Sequence, residues 1–436
     1  MDAPRSFLAL QCFIPVHGLE VTPGKERATI TPPGEEWACV KCARKKAYGC
    51  GKRGQRLVDG ITLYVCRADH PEDLAAYVSI GLSDDAVRIM EGELGVRRGL
   101  MESHGSLQIS HQQFLVMILE FDPHAHPKRL YYIIYDSTDA SLYMIPFIPE
   151  DLVSTRTLQA IPERSADGVG LKQLVLTARE PYLQRVDCDR LCVFTPAAQK
   201  DRPESVRWQA MVHTFMHPWQ RFSADTMFSF QGKFFWADLS RGVAYSDLGT
   251  GCSGPVVDTV FVRLPDEYQL SGPPYQFDRP KMSRTMGCVG DSIKFVCIDR
   301  CHETIKALTL DLDHQVWKED EGFSCSWNDL WKQLISFMNV EMPLNLQPQY
   351  PILFPDGALF LFLPSTAEWA CLMDGNHHVC CFDMITKRPL FFGLVSNYHA
   401  INPVIVPSDF FAMCQSSSAP AGEAAMDKQA FLPMCF

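Results

Sequence analysis

Long apolar runs are missing from this sequence. No uninterrupted apolar stretch among its 436 residues approaches the ~20 that a membrane-spanning helix requires. Reactive signatures are missing too: there is no GxSxG nucleophile elbow, no HExxH pair and no P-loop. A basic excess is absent, with 40 Lys and Arg against 51 Asp and Glu, a formal charge of −11. That balance argues against a chain-wide phosphate-binding surface. A disulfide framework is lacking as well. The 17 cysteines are odd in number and scattered, and Cys297, Cys380 and Cys381 sit inside apolar runs. Buried thiols in a reducing compartment fit this usage. The opening "MDAPRSFLALQCFIPVHG" imitates a signal peptide only loosely, because Gln11, Cys12 and Pro15 interrupt it and no small-residue cleavage site follows. The expectation is a soluble intracellular protein of the cytoplasm or nucleus.

What is present is an ordinary globular composition, 47% apolar and 21% charged, so a large core is available. The length exceeds the usual single domain, with closed all-β architectures as the exception. Few segments read as helix. Ser83 to about Met101 has a cap residue, early acids and apolar residues at Val87, Met90 and Leu94. From Ser326 onward, Trp327, Leu330, Trp331, Leu334, Ile335 and Met338 fall at helical spacing, with Asp329 placed as in a capping box. This stripe is expected to dock on the body of the fold. The remainder alternates in short apolar runs punctuated by Gly, Pro, Asp and Ser, the pattern of short antiparallel strands. The runs group at 107–121 with 129–148, then 171–222, 226–264, 285–318 and 351–396.

One unit recurs: an apolar strand ends in Asp, a polar turn follows, and a second apolar strand returns. It occurs at Asp136, Asp238, Asp311 and Asp383. An aspartate there can accept from backbone N–H groups two or three residues on, replacing ladder bonds that the turn cannot make. Gly242 is expected to supply a positive φ where the chain reverses. Roughly equal intervals separate Asp238, Asp311 and Asp383, longer than the ~40–50 residues of a usual propeller repeat. Radial repetition is favoured over a sandwich.

The stretches "MVHTFMHPWQRFS", "GKFFWADLSRGVAYSDL" and "VFVRLP" resemble the signature region of the large grass-specific plant family known as domain of unknown function 1618. In that family a tryptophan two before the aspartate and an Arg-Gly turn recur, as Trp236, Asp238, Arg241 and Gly242 do here. The likeness is most specific over about residues 205–268 and extends more loosely to about 400. It implies a propeller-like all-β body, similar in style to the domains found beside F-boxes, and no established activity. No F-box-like leucine-rich helical segment is present.

Several patterns suggest chemistry. "GTGCSG" (Gly249, Gly251, Gly254) meets the letter of a dinucleotide motif, but Pro255 and "VVDTVFV" follow where a helix N-terminus is needed, so it reads as a loop. His213 and His217 have i, i+4 spacing, yet Pro218 and a strand-like flank argue for a strand and corner. His377 and His378, adjacent in a strand, point to opposite faces. Cys39, Cys42 and Cys50 in "CVKCARKKAYGCGKRGQR", with Cys66 beyond, could share a zinc ion, but no second pair completes the set. A basic surface loop with free thiols is expected instead. Asp238 and Asp247 could form an acid pair, but a catalytic residue has no reason to recur in every hairpin.

The reading is an all-β, β-propeller-like fold of five to seven blades, six preferred, with a few short helices. Residues 1–104 form an N-terminal region, partly strand-forming, with the basic Cys-containing loop, 105–412 the body, and 413–436 a disordered tail. The expected function is a non-enzymatic protein-interaction scaffold, with no metal, no cofactor and no membrane partner. Trp236, Asp238, Arg241, Gly242, Asp311 and Asp383 are its structural hairpin signature. Two alternatives stand beside it: a propeller-type hydrolase acting through channel carboxylates, and a nuclear or nucleic-acid factor using residues 41–56.

Overall fold

The computed structural model describes residues 6–9, 13–14, 16–18, 37–67, 76–123, 127–148, 160–165, 168, 170–179, 189–196, 208–214, 224–247, 256–270, 280–338, 347–364, 377–395, 404–407 and 410. Apart from short 3-10 turns, helix in these residues is confined to α1 (Gly51–Asp59), α2 (Asp84–Leu94) and α3 (Trp327–Met338). Strands make up most of the rest. Among the described residues they form six sheets of four to six strands and one two-stranded pair.

The sheets follow one another along the chain. Sheet A combines Val16–Gly18, Ala76–Leu82, Ile61–Arg67 and Trp37–Cys39. Sheet B is built on the meander Glu102–His111, Phe114–Asp122, Arg129–Asp136 and Ser141–Pro146. It is widened by Phe13–Ile14 at one edge and by Arg44–Ala47, parallel, at the other. Sheet C runs Ile161–Arg164, Leu171–Arg179, Asp189–Phe194 and Gln209–Thr214, with Val256–Asp258 added in parallel. Sheet D is Thr226–Phe230, Lys233–Asp238, Gly242–Ser246 and Val260–Arg263. Sheet E is Arg284–Val289, Ser292–Asp299, Thr304–Asp311 and Val316–Glu319, with Cys325–Ser326 pairing its third strand. Sheet F is Gln349–Leu353, Ala358–Leu363, His377–Asp383 and Pro389–Val395.

Both faces of sheets B to F are buried, which explains why their strands read as almost continuous apolar runs. In sheet E, Ile293, Phe295 and Cys297 pack toward sheet D, while Val296 and Ile298 on the other face pack toward sheet F and α3. Equivalent cores join A to B, B to C and C to D. The first strands of sheets B to F lie against one another in chain order. Sheets packed face to face around a common line of first strands give a β-propeller-like body. The strand Ser6–Ala9 pairs antiparallel with Val404–Pro407, tying two distant parts of the chain.

The helices obey their caps. Ser83 accepts from the Ala86 N–H at 3.2 Å, and α2 stops at Gly95, which takes a left-handed φ of 66°. α3 buries Trp327, Leu330, Trp331 and Leu334 between sheets E and F.

One expectation needs correction. The basic stretch is not a surface loop, because Arg44–Ala47 is a strand of sheet B and Gly51–Asp59 is a helix. α1 buries only Leu57 and Val58 besides Gly54, too short a stripe to show a 3.6-residue period. Strands from the N-terminal region complete sheet B, whose strand Glu102–His111 spans residues 104 and 105. The tail from 413 lies outside the described residues.

Candidate functional site

The signature turn sits where sheets D and E meet. Trp236 is buried in the core between sheets C and D. Asp238, also buried, ends its strand and accepts from the Ser240 N–H at 2.9 Å. Asp225, at the entry to the same sheet, accepts from the neighbouring Leu239 N–H at 2.8 Å. Two carboxylates therefore hold two successive amides of one turn. Arg284, from the first strand of sheet E, donates to the carbonyls of Leu239, at 2.9 Å, and Tyr268, at 2.5 Å. The Arg241 carbonyl accepts from the Leu264 N–H at 2.7 Å, closing the turn from the other side.

Gly242 takes the expected positive φ, 157°, and is needed for a second reason: a Cβ there would stand 2.3 Å from the Val262 carbonyl oxygen. Two backbones approach too closely for any side chain.

Burial, and then the charge of Asp238, push the Asp225 carboxyl up to about 6. Burial also lowers the Lys281 ammonium, against the pull of Asp225. The group combines two acids, a lysine and an arginine, and Asp225 can hold a proton near neutrality. Asp247 is not part of it. Asp238 pairs with Gly242 at one end of the strand Gly242–Ser246, and exposed Asp247 follows the other end, ~13 Å away at strand rise.

The other recurrent aspartates also accept from turn amides: Asp136 from Thr138, Asp311 from His314, and Asp383 from Ile385 and Thr386. They are not at equivalent places. Asp238 closes the second strand of its sheet, whereas the other three close third strands, so their hairpins lie at opposite ends of a meander. The counterpart of Asp238 in sheet E is Asp299, which accepts from Cys301 and His302. Asp136 does more than cap. Fully buried, it is held by both terminal nitrogens of Arg164, reaching across from sheet C.

A second juncture lies among the first strands. His111 Nε2 of sheet B is 2.7 Å from Ser229 Oγ of sheet D, and Cys288 Sγ of sheet E reaches the Ser229 carbonyl at 3.7 Å. Burial lowers His111 to about 4, so the ring is neutral and a weak base at physiological pH. The spacing is that of a nucleophile and base, but the weak basicity suits a tie between strands better.

The remaining sequence candidates are dispersed. Cys39 ends an exposed edge strand, while Cys42 and Cys50 pack against the core between sheets A and B. Cys66 lies in a strand opposite Trp37. His213 is within the strand Gln209–Thr214, and His217 lies outside the described residues. His377 and His378 open a strand, with His378 stacked on Phe392. Gly249, Gly251 and Gly254 lie outside the described residues, and a strand, Val256–Asp258, follows them. Among the described residues no group of three or more His, Cys, Asp or Glu is placed to hold a metal ion. No helix among them is long and apolar enough to cross a membrane.

No curated protein matches the chain in sequence. Among solved structures, a putative 6-phosphogluconolactonase from Bacteroides uniformis aligns at 9% identity and a TM-score of 0.34, over 80% of this chain and 78% of that one. A putative 6-phosphogluconolactonase from Bacteroides fragilis aligns at 10% identity and 0.28, over 61% of this chain and 62% of that one. The β-propeller domain of the Trilobed protease from Pyrococcus furiosus aligns at 8% identity and 0.29, over 66% of this chain and 70% of that one. The family match is more local. Its stretch begins at the signature tryptophan itself and runs further along the chain than the 205–268 region of the resemblance. Residues 236–360 match the family described as "Protein of unknown function (DUF1618)", the family that the Trp236–Gly242 turn resembles.

Proposed function

We propose that the protein is a non-enzymatic interaction scaffold whose partner, a protein, docks on the hairpins that join third to fourth strands in sheets E and F. One observation carries this reading. Val316 is 45% exposed on the first of these hairpins, and Ile385 and Leu390 are 75% and 54% exposed on the second. Large apolar side chains held in water on neighbouring hairpins mark a contact surface, and loops on a rigid body commonly carry binding. The titratable groups of the signature turn support a scaffold as well, because their described contacts hold backbone amides and carbonyls.

The basic stretch supports a nucleic-acid role less. Arg44 pairs with Asp139, Arg56 with Asp85, and Lys45 donates to the carbonyls of Asp59 and Ile61 at the end of α1. The test is affinity capture with the intact chain and with an Ile385→Asp/Leu390→Asp variant. The scaffold reading expects a reproducible set of partners that the variant loses at an unchanged melting temperature. Capture that survives the double change removes this surface from the reading.

A further inference from the structure

Cys39 and Cys42 flank the step by which the chain leaves sheet A for sheet B. Cys39 ends the strand Trp37–Cys39, and the strand Arg44–Ala47 begins two residues after Cys42. The step is fastened to both sheets. The Val40 N–H donates to the Leu63 carbonyl of sheet A at 2.8 Å, and the Ala43 N–H donates at 2.7 Å to the carbonyl of Ala140, beside the strand Ser141–Pro146 of sheet B. Both thiols gather at one atom of this pinned backbone. Cys39 Sγ lies 3.9 Å and Cys42 Sγ 3.7 Å from the Val40 carbonyl oxygen.

The two thiols differ in access. Cys39 is exposed, whereas Cys42 is half-buried against the core between sheets A and B. Cys50, the third thiol of the basic stretch, contacts a different carbonyl, that of Tyr48, at 3.3 Å. Lys41 is exposed between the pair and Lys46 just beyond it, so an anionic reagent is drawn to this edge. An accessible thiol backed by a second one three residues on is the arrangement in which a mixed disulfide is resolved within the chain.

We propose that Cys39 and Cys42 form a reversible dithiol–disulfide site whose oxidant is a small anionic disulfide of the glutathione type. The Cys39 sulfur attacks one sulfur of the reagent, and its proton leaves with the displaced thiol. The Cys42 sulfur then attacks Cys39 in the mixed disulfide, releasing the second thiol with the second proton. Two cysteine thiols are oxidised to one disulfide while one reagent disulfide is reduced to two thiols. The second attack is intramolecular, which favours it over capture of another reagent molecule. A loop this small gains little from chain entropy, so the bond stays easy to reduce.

The experiment equilibrates the folded full chain in buffers of increasing oxidised-to-reduced glutathione, quenches in acid, alkylates the remaining thiols and digests with trypsin for mass spectrometry. Cleavage after Lys41 puts the two cysteines on separate peptides, which their disulfide alone would hold together. The linked pair is expected at ratios where Cys301, exposed and with no cysteine within three positions, is still mainly a thiol. Excess dithiothreitol should abolish it. Cys42→Ser is expected to trap glutathione on Cys39, and Cys39→Ser to leave Cys42 largely reduced. Three results overturn the proposal: no linked pair at ratios that already modify Cys301, a linkage of either cysteine to any other in the chain, or a Cys42→Ser protein that traps no more glutathione on Cys39 than the wild type does. The wild-type peptides decide the first two whatever the variants do.

Discussion

Arg164 grips both carboxylate oxygens of Asp136, at 2.8 and 2.9 Å, across the seam between sheets B and C. Asp136 is fully buried and Arg164 is 17% exposed, with its guanidinium stacked 4.2 Å from the centre of the Phe114 ring. Removing one partner leaves the other charged and out of water. Asp136→Ala and Arg164→Met are each expected to destabilise the fold by about 3–5 kcal/mol. The double variant should lose less than the sum of the two. Chemical denaturation of the four proteins measures the coupling, and simple additivity would mean that the pair contributes nothing as a pair.

At the signature turn the expected losses are smaller. Asp238→Ala should destabilise by about 1–2 kcal/mol, as lost caps and buried hydrogen bonds do. Asp238→Asn should be gentler, because the amide oxygen still accepts from Ser240 and the repulsion felt by Asp225 disappears. Asp311→Ala and Asp383→Ala should lose less than Asp238→Ala, since both residues are only partly buried. Urea midpoints at pH 7.5 rank the set. Equal midpoints for all of them would refute a turn-holding role.

Two groups give opposite pH dependences. The Asp225 carboxyl is raised from 3.8 to about 6, so between these values the folded state binds the extra proton and stability falls as pH rises. His111 is lowered from 6.5 to about 4, so there the unfolded state binds the extra proton and stability rises with pH. Each shift is about two units, and each unit corresponds to ~1.4 kcal/mol at most. The contributions oppose one another between pH 4 and 6. The wild type should be flatter over this window than either variant. Asp225→Asn should leave a stability that rises with pH, and His111→Gln one that falls. Urea denaturation from pH 4 to 7 reads the slopes, and identical slopes in all three proteins would count against both assignments.

The α3 stripe is core. Trp331 is 3% exposed and lies beside Trp327, the two rings tilted with centres 5.3 Å apart. Trp331→Ala should destabilise by about 3–5 kcal/mol, whereas Phe337→Asp, on the exposed side of the same helix, should barely move the melting temperature. A Trp331→Ala protein with wild-type stability and a lost partner would instead make the stripe an interface.

The sequence by itself determined the features whose causes lie within a few residues. Short apolar runs broken by Gly, Pro, Asp and Ser placed the strand groups that became sheets B to F, Ser83 marked the start of α2, and each recurrent aspartate preceded the amide it accepts. Such rules are local, because side chain and backbone partner are two or three positions apart. The tertiary structure alone decided which hairpins are equivalent, since Asp238 and Asp311 look alike in sequence but close different strands of their sheets. It also decided the second reason for Gly242, which is the Val262 carbonyl on a neighbouring strand. The partners that turn a capped hairpin into an inter-sheet joint are equally remote: Arg164 is 28 residues from Asp136, and Arg284 is 45 from Leu239. α1 was hidden because its two buried apolar residues set no period, and it is held by the core between sheets A and B. Charge pairing and close backbone approach depend on which surfaces folding brings together, and no spacing along the chain encodes that.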